Sequence, residues 1–262
     1  MIKKTLIKIH WLISRQLGFD IQRLFRSLRG LPHFLRDWRD FRNGYSGLMT
    51  WMPCLHDRYG EGGTTKSEYF WQDLVVARWI FVANPKRHVD IGSRVDGFVA
   101  HVASFREIEV FDVRPINTQI PGVTFKQADL MRGDSFPSSA NGYCDSLSCL
   151  HAIEHFGLGR YGDPIDPVGH ERGIANMALM LKRGGTFYLS TPIGRERVEF
   201  NANRVLDPRS IVDLAERHGL ALRQLTVISG GGEFREVKAN PQTLRNYAEA
   251  TYNLGLFVFV KV

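Results

Sequence analysis

Residues 88–102 read HVDIGSRVDGFVAHV and predict a short buried strand, a tight turn and a helix. Val89 and Ile91 flank Asp90 at the two-residue spacing of a strand, and Gly92 follows at once. Apolar residues then recur at steps of three and four, the spacing of one helix face: Val95, Phe98, Val99 and Val102. Parallel α/β sheets present a nucleotide site through such an acid, glycine turn and helix.

The turn lacks the glycine pattern of a dinucleotide site. Ser93, Arg94, Val95 and Asp96 stand between Gly92 and Gly97, so the backbone cannot come close to a pyrophosphate, and Asp96 would repel one. The sequence therefore argues against NAD and FAD. The turn resembles instead the first motif of class I S-adenosylmethionine-dependent methyltransferases, in which an acid and one glycine meet the methionine part of the cofactor.

That resemblance implies a role for each residue of the turn. Asp90 would contact the cofactor's amino group, directly or through water, and Gly92 would let the backbone approach it. Ser93 and Arg94 would belong to the same cofactor-binding turn. An ordinary strand, turn and helix without a ligand is the alternative for this stretch taken alone.

Two further predicted strands lead into acids. Strand 108–111 ends in Asp112, which lies 22 residues after Asp90, and a carboxylate there is placed to accept both hydroxyls of a ribose. Strand 123–126 precedes Asp129 and Leu130. The resemblance implies that Asp129 receives the adenine amino group, with Leu130 beside it, whereas the plainer role of Asp129 is to cap a turn.

The fourth predicted strand, residues 143–150, runs into HAIEH at residues 151–155. This segment resembles the fourth motif of small-molecule methyltransferases and implies cofactor contact by His151. Methylation of a hydroxyl needs a base, and histidine titrates near neutral pH. We expect His155 to be the base, with Glu154 as second candidate, unless these residues only shape the loop.

Residues 156–166, FGLGRYGDPID, predict a shaped loop at the carboxyl end of the sheet. We expect Asp163 to be a third candidate for the catalytic residue. We expect Arg160, Tyr161 and Asp166 to bind the acceptor, the molecule that receives the methyl group. Asp163 and Asp166 with His170 offer a divalent-ion site, but such groups are common without metal, and no metal is predicted. The segment VEFNANRV at residues 198–205 predicts a loop at the same sheet end. We expect Asn201 and Arg204 there to bind acceptor, and a structural Arg204 is equally consistent.

The remaining elements complete an α/β pattern. Helices are predicted at 67–82, with Ser67 as N-cap, at 171–181, stopped by Gly184 and Gly185, and at 211–218, with strands at 187–190, 220–228 and 254–260. The segment at residues 181–192, LKRGGTFYLSTP, resembles the signature that ends the methyltransferase core. The fold class is therefore α/β, a Rossmann-like seven-stranded class I methyltransferase sheet over residues 67–262, whose last strand is antiparallel between the fifth and sixth.

Residues 1–66 are predicted to be a basic helical extension and a loop-rich joint. Residues 1–42 hold ten Lys and Arg against three Asp, and their apolar residues advance in threes and fours, with a bend or break near Gly30 and Pro32. Such a helix suits the surface of an anionic membrane. Packing on its own domain or in a homodimer is the alternative, and nucleic acid is disfavoured because no binding module is recognisable.

The composition indicates in which cellular compartment the protein is found. Three cysteines form neither a paired framework nor a zinc spacing, and no run of about twenty apolar residues is present. Lys8, His10 and Arg15 interrupt any signal-peptide core. We expect a cytoplasmic protein, peripheral at the inner face of the cell membrane if the extension meets lipid.

Residues 156–166 and 198–205 together resemble a poorly characterised methyltransferase-like family found among bacterial surface-polysaccharide genes. The resemblance implies an S-adenosylmethionine-dependent O-methyltransferase for a sugar of a surface polysaccharide or lipid-linked glycan. The alternatives are a small-metabolite methyltransferase and a non-catalytic methyltransferase-like binding protein, the latter suggested by the departure in the glycine turn.

Overall fold

A computed structural model describes residues 14, 18, 20–60, 62–63, 65–133, 142–230 and 232–262. The chain divides into two compact units, Met1–Thr64 and Thr65–Val262. Most of the predicted N-terminal helix before residue 20 lies outside the described residues. No described helix has the length and apolar character needed to cross a bilayer.

The first unit contains helix α1 (Ile21–Gly44) and a short 3-10 turn at Asp57–Tyr59. α1 is continuous through Gly30 and Pro32, so the expected break there is wrong. Gly30 is buried, and a Cβ on it would lie 1.9 Å from the carbonyl oxygen of Leu55. Packing of this face against the following segment offsets the one hydrogen bond that Pro32 cannot donate.

The second unit is built around one sheet of eight strands. Its members are β1 (His88–Ile91), β2 (Ile108–Asp112), β3 (Val123–Gln127), β4 (Cys144–Leu150), β5 (Leu181–Ile193), β8 (Leu220–Ser229), β9 (Glu233–Val237) and β10 (Asn253–Lys261). Their spatial order is β3-β2-β1-β4-β5-β10-β8-β9. β1 to β5 pair in parallel, and β10 is antiparallel to both β5 and β8, which confirms the predicted place of the last central strand.

Helices cover both faces of this sheet. They are α2 (Glu68–Ala83), a π-helical turn (Val95–Val99) that runs into α3 (Ala100–Ala103), α4 (Gly169–Met180), α5 (Pro208–Arg217) and α6 (Pro241–Glu249), with a 3-10 turn at Ile153–His155. Ser67 caps α2 as predicted, because its Oγ accepts from the Tyr69 amide at 3.3 Å. On α2, Phe70 is 39% exposed, while Gln72 and Asp73 are buried.

Three features differ from the sequence prediction. β5 begins at Leu181, directly after α4, because Leu181 already pairs with Cys144 before an irregularity in the ladder. Residues 197–205 form a hairpin of β6 (Arg197–Glu199) and β7 (Asn203–Val205) rather than a loop. β9 and α6 were not predicted, and the polar, largely exposed sequence of β9 explains why no strand pattern is visible there.

The core lies in two layers, one on each side of the sheet. One layer combines α4 and α5 with the sheet and includes Ile174, Met177, Phe187, Phe257 and Phe259. The other combines α2 and α3 with the sheet and includes Ile80, Phe98, Val102, Val110 and Leu256. The carboxyl ends of the parallel strands are where α/β folds place their ligand sites.

Candidate active site

A cavity of about 540 Å³ opens at the carboxyl ends of β1, β2, β3 and β4. Its lining comes from the turn after β1, the segments after β2 and β3, the segment after β4, and Tyr69 at the start of α2. Cavities of this size suit a cofactor or small ligand. Of the predicted site residues, it brings together Gly92, Ser93, Arg94, Asp112, Asp129, Leu130, His151, His155, Arg160, Tyr161 and Asp163.

Asp90 is placed differently from the prediction. Its side chain is fully buried and is not part of the cavity lining. Oδ1 accepts from the hydroxyls of Ser93 and Ser148 at 2.6 and 2.5 Å, and Oδ2 accepts from the Ser93 amide at 3.0 Å. Burial raises the pKa of Asp90 to about 7, against the effect of these hydrogen bonds. The expected direct or water-mediated contact with a ligand is therefore corrected to a role in holding the turn.

The turn itself has the shape that was expected of it. Gly92 has a φ of 70°, and a Cβ there would lie 3.1 Å from the Cβ of Ala152. Both the left-handed backbone and the close approach favour glycine at this position. Ser93, held beneath the turn by Asp90, also accepts a hydrogen bond from the Leu150 amide at 3.1 Å and so ties β1 to β4.

Asp112 ends β2 and lines the cavity, but it has a partner that the sequence did not suggest. Oδ1 accepts from the amide and Nε of Arg114 at 2.8 and 3.0 Å, and Oδ2 accepts from Nη2 at 2.6 Å. The Arg114 guanidinium also lies over the ring of Tyr161, 4.4 Å from its centroid. Because a carboxylate offers about four acceptor positions, one remains on Oδ2 of Asp112 for a ligand hydroxyl.

Asp129 carries an unused acceptor in the cavity wall. Oδ1 accepts from the Met131 amide at 2.9 Å, which is the turn-capping role considered above. Oδ2 is buried and has no hydrogen-bond partner among the residues that the structure describes. A buried, unpaired carboxylate oxygen costs free energy unless a ligand donates to it. Leu130 is buried beside it and supplies apolar lining.

His151 is held between two carboxylates. Its Nδ1 lies 2.6 Å from Glu154 Oε1, and its Nε2 lies 3.2 Å from Glu68 Oε1. Burial disfavours the charged imidazole, but the two carboxylates outweigh burial and raise the pKa of His151 to about 9. Glu154 is fully buried and outside the lining, and although burial opposes it, His151 lowers its pKa. Glu154 therefore acts on the site through the histidines that it contacts.

Glu68 and Tyr252 were not identified from the sequence. Tyr252, which precedes β10, donates its hydroxyl to Glu68 at 2.7 Å, and Tyr69 stacks on His151 with ring centroids 4.5 Å apart. An acid in the first turn of a helix is usually explained by its favourable interaction with the helix dipole. Nothing in the local sequence relates Glu68 to a histidine 83 residues later.

His155 has the properties of a neutral base. It lines the cavity and is 8% exposed, with Nε2 3.8 Å from Glu154 Oε1 and 3.3 Å from Arg160 Nη1. Burial lowers the pKa of His155, and the positive charges of Arg160 and His151 add to this while Glu154 opposes it. The imidazole is therefore uncharged at neutral pH, with an acceptor nitrogen.

Asp163 organises the glycine loop, residues 156–166. Its Oδ2 accepts from the amides of Gly157 and Gly159 at 2.9 and 3.2 Å, and its Oδ1 accepts from the Tyr161 amide at 3.1 Å. These three amide bonds give Asp163 a structural role in the loop, and one acceptor position remains on its Oδ1 at the cavity. Arg160 and Tyr161 of this loop line the cavity.

The other three predicted acceptor residues do not line the cavity. Arg204 is 3% exposed and donates to the carbonyl oxygens of Glu154, Phe156, Asp166 and Pro167 at distances from 2.5 to 3.3 Å. Asp166 accepts from the Val168 amide at 3.0 Å and pairs with Arg172 at 3.3 Å. Asn201 lies exposed between β6 and β7. The structure favours the structural alternative for Arg204, because the side chain is buried and both Nη atoms already donate to loop carbonyls.

The chain was compared with known families and structures. Residues 134–215 match a family described as "Caenorhabditis protein of unknown function, DUF268", and no curated protein sequence matches the chain. Among solved structures, the 1,6-didemethyltoxoflavin-N1-methyltransferase of Burkholderia thailandensis is similar at a TM-score of 0.51 and 10% identity, over 88% of this chain and 86% of that one. N-methyltransferase NodS of Bradyrhizobium japonicum WM9 is similar at 0.50 and 12%, over 77% and 89%. This chain has the class I methyltransferase fold.

In this methyltransferase fold, the cavity lies where the parallel half of the sheet ends. The predicted fold class is confirmed, with an eighth strand, β9, added at the edge beyond β8. Both named neighbours were solved with S-adenosylhomocysteine. Among the residues that the structure describes, no three His, Cys, Asp or Glu side chains are grouped as a metal ion would need.

Proposed function

We propose that this protein is an S-adenosylmethionine-dependent O-methyltransferase for a sugar hydroxyl of a surface polysaccharide or lipid-linked glycan. One observation carries the proposal: acceptors for a nucleoside, Asp112 and Asp129, share a single cavity with an uncharged histidine, His155. A nucleoside site and a base in one enclosure are what methyl transfer to a hydroxyl needs.

The residues present fit S-adenosylmethionine. The buried, unpaired Oδ2 of Asp129 is placed to accept the adenine amino group, and the free position on Asp112 Oδ2 suits a ribose hydroxyl. The Gly92 turn, with Ser93 and Arg94, would hold the methionine part. The bound cofactor supplies an electrophilic methyl group on its sulfonium.

The chain's own residues then serve the acceptor. His155 would accept the proton that the acceptor hydroxyl loses, because its lowered pKa leaves it uncharged beforehand. Glu154 Oε1, 3.8 Å from Nε2, would stabilise the imidazolium that results. His151 is already charged between Glu154 and Glu68, so it is a poor base.

The saccharide acceptor is supported by the glycine loop and its surroundings. Tyr69 and Tyr161 line the cavity with side chains that can donate or accept a hydrogen bond through their hydroxyls, and Arg160 offers a donor for a ring substituent. The described cysteines Cys54, Cys144 and Cys149 are free, which agrees with the proposed location in a reducing cytoplasm.

Calorimetry with S-adenosylmethionine tests the cofactor. Wild-type protein should bind, and Asp112→Ala should lose about 1.5 to 3 kcal/mol for each charged hydrogen bond removed. Asp213→Ala, an exposed acid on α5, is the matched control and should bind as wild type. No binding by the wild type would remove the proposal, whereas unchanged affinity in Asp112→Ala would remove only the assignment of that residue.

The acceptor is tested with labelled methyl donor and three sets of compounds: nucleotide sugars, free sugars and lipid-linked saccharides. We expect transfer to a saccharide hydroxyl. Transfer only to a non-saccharide metabolite would establish the small-metabolite alternative. Cofactor binding without transfer to any compound would favour the non-catalytic binding protein.

A further inference from the structure

Helix α1 carries an apolar stripe whose side chains are exposed in the part of the chain that the structure describes. Its six members share one side of the helix, and each is between 38% and 67% exposed: Ile21, Leu24, Phe25, Leu28, Leu31 and Leu35. Single exposed apolar side chains are ordinary on a protein surface, but a contiguous stripe of this kind marks an interaction site. This stripe plays no part in the cavity or in the chemistry proposed above.

The other face of α1 is already used within its own unit. Gly30 is buried against the backbone of Leu55, and the rings of Phe34 and Trp38 pack on Trp51 with centroids 5.4 and 5.3 Å apart. These contacts hold α1 to the segment that follows it. The stripe is therefore the free face of a helix whose other side is secured.

The charge of α1 indicates what covers the stripe. The helix holds six arginines against two aspartates, a net charge of +4. Both acids are ion-paired: Asp37 with Arg36 and Arg58, and Asp40 with Arg39 at 3.5 Å. Arg39 and Arg42 follow Leu35 by four and seven residues and continue the line of the stripe along the helix. Apolar side chains in line with arginines match the boundary between acyl chains and anionic headgroups.

We infer that α1 binds the surface of an anionic membrane, with the stripe toward the acyl chains and the arginines at the lipid phosphates. A second copy of the chain fits this face less well, because its arginines would lie beside those of the first. Nucleic acid would meet the arginines but leave the stripe exposed. The inference is independent of the proposed methyl transfer, although it would bring the cavity to lipid-linked acceptors.

Vesicle sedimentation with the full chain tests the inference. Vesicles of phosphatidylcholine with phosphatidylglycerol should bind the protein at low salt, and binding should weaken at high salt and with pure phosphatidylcholine. Leu28→Asp should abolish binding. Val82→Asp, at an 80% exposed position of α2, is the matched control and should bind as wild type. Arg39→Gln and Arg42→Gln should each weaken binding about fivefold.

The outcomes distinguish a membrane from a second copy of the chain as the partner of the stripe. Salt-sensitive binding that Leu28→Asp abolishes supports the inference, with circular dichroism showing that the variant is folded. No adsorption at low salt, or equal adsorption by Leu28→Asp, overturns it. A dimer in analytical ultracentrifugation that Leu28→Asp dissociates, without vesicle binding, assigns the stripe to a second copy. S-adenosylmethionine affinity should be the same in all these variants, so failure here is distinct from failure of the cofactor proposal.

Discussion

Arg204 Nη1 donates a hydrogen bond of 2.5 Å to the carbonyl oxygen of Phe156, across 48 residues of chain. The same guanidinium reaches the carbonyls of Glu154, Asp166 and Pro167, at the two ends of the glycine loop. Asp163 holds the amides inside that loop. One cation and one anion therefore set the shape of the segment that carries Arg160 and Tyr161 to the cavity, with His155 directly before it.

Arg204→Ala should destabilise the protein and slow the reaction together. Several carbonyls lose a charged donor, and unpaired groups of this kind cost about 1 to 3 kcal/mol each, so we expect a loss of about 3 kcal/mol or more. Urea unfolding measures it. Arg223→Ala, at an exposed arginine, should change stability by less than about 0.5 kcal/mol. Arg204→Lys should recover only part of the loss, because lysine lacks the fork that spans both loop ends. Full stability in Arg204→Ala would show that the loop holds its shape without this residue.

His155→Ala should bind S-adenosylmethionine nearly as wild type and lose about 10²- to 10⁴-fold in turnover on the true acceptor. A histidine that only shapes the loop would instead weaken binding and stability together. Single-turnover kinetics with calorimetry on the same protein makes the distinction. Full turnover in His155→Ala would move the role of base to another group.

The pH profile of kcat/KM gives a second view of His155. The base must be uncharged, and burial holds the pKa of His155 below its ordinary 6.5. Activity should therefore persist at pH 6.5 and decline only at more acidic pH, as the imidazole takes up a proton. An acidic limb centred well above 6.5 would contradict this placement of the base.

Because of His151, the free energy of unfolding should decrease as pH rises above neutral. Its pKa of about 9 in the native state lies above the 6.5 of an unperturbed histidine. The stabilisation is therefore complete below pH 6.5 and is lost as pH rises through 9. The slope in unfolding free energy is at most about 1.4 kcal/mol per pH unit. Urea unfolding across this range should show a steeper fall in wild type than in His151→Gln. Equal slopes would mean that Glu154 and Glu68 do not hold His151 charged.

Asp129→Asn tests the adenine contact with little change of shape. The amide keeps an oxygen for the Met131 amide, but its nitrogen cannot accept a hydrogen bond where Oδ2 stood. S-adenosylhomocysteine should bind about 1.5 to 3 kcal/mol more weakly. S-inosylhomocysteine, which lacks the amino group, should bind wild type weakly and lose little more in the variant. If the loss of affinity on removing the amino group and the loss in Asp129→Asn simply add, the amino group does not contact Asp129.

Local patterns predicted most of the elements of the second unit. The two-residue spacing of β1, the cap at Ser67 and the helical spacing of Ile174 and Met177 depend on neighbours in the chain, so they are visible in the sequence. The hairpin of β6 and β7 and the edge strand β9 were missed. Strands of three residues, and a strand with mostly exposed side chains, leave too little buried alternation to recognise.

The sequence by itself determined the α/β class and the sheet edge of the candidate site, because both follow from spacing along the chain and from the acids near the ends of β1, β2 and β3. The antiparallel place of the last strand was implied by the resemblance to class I methyltransferases. Only the tertiary structure decided what each acid does. Ser148 joins Asp90 across 58 residues and withdraws it from the cavity, while Asp129 Oδ2 is left unpaired. A side chain's partner depends on which distant segment packs against it, and no local pattern records that.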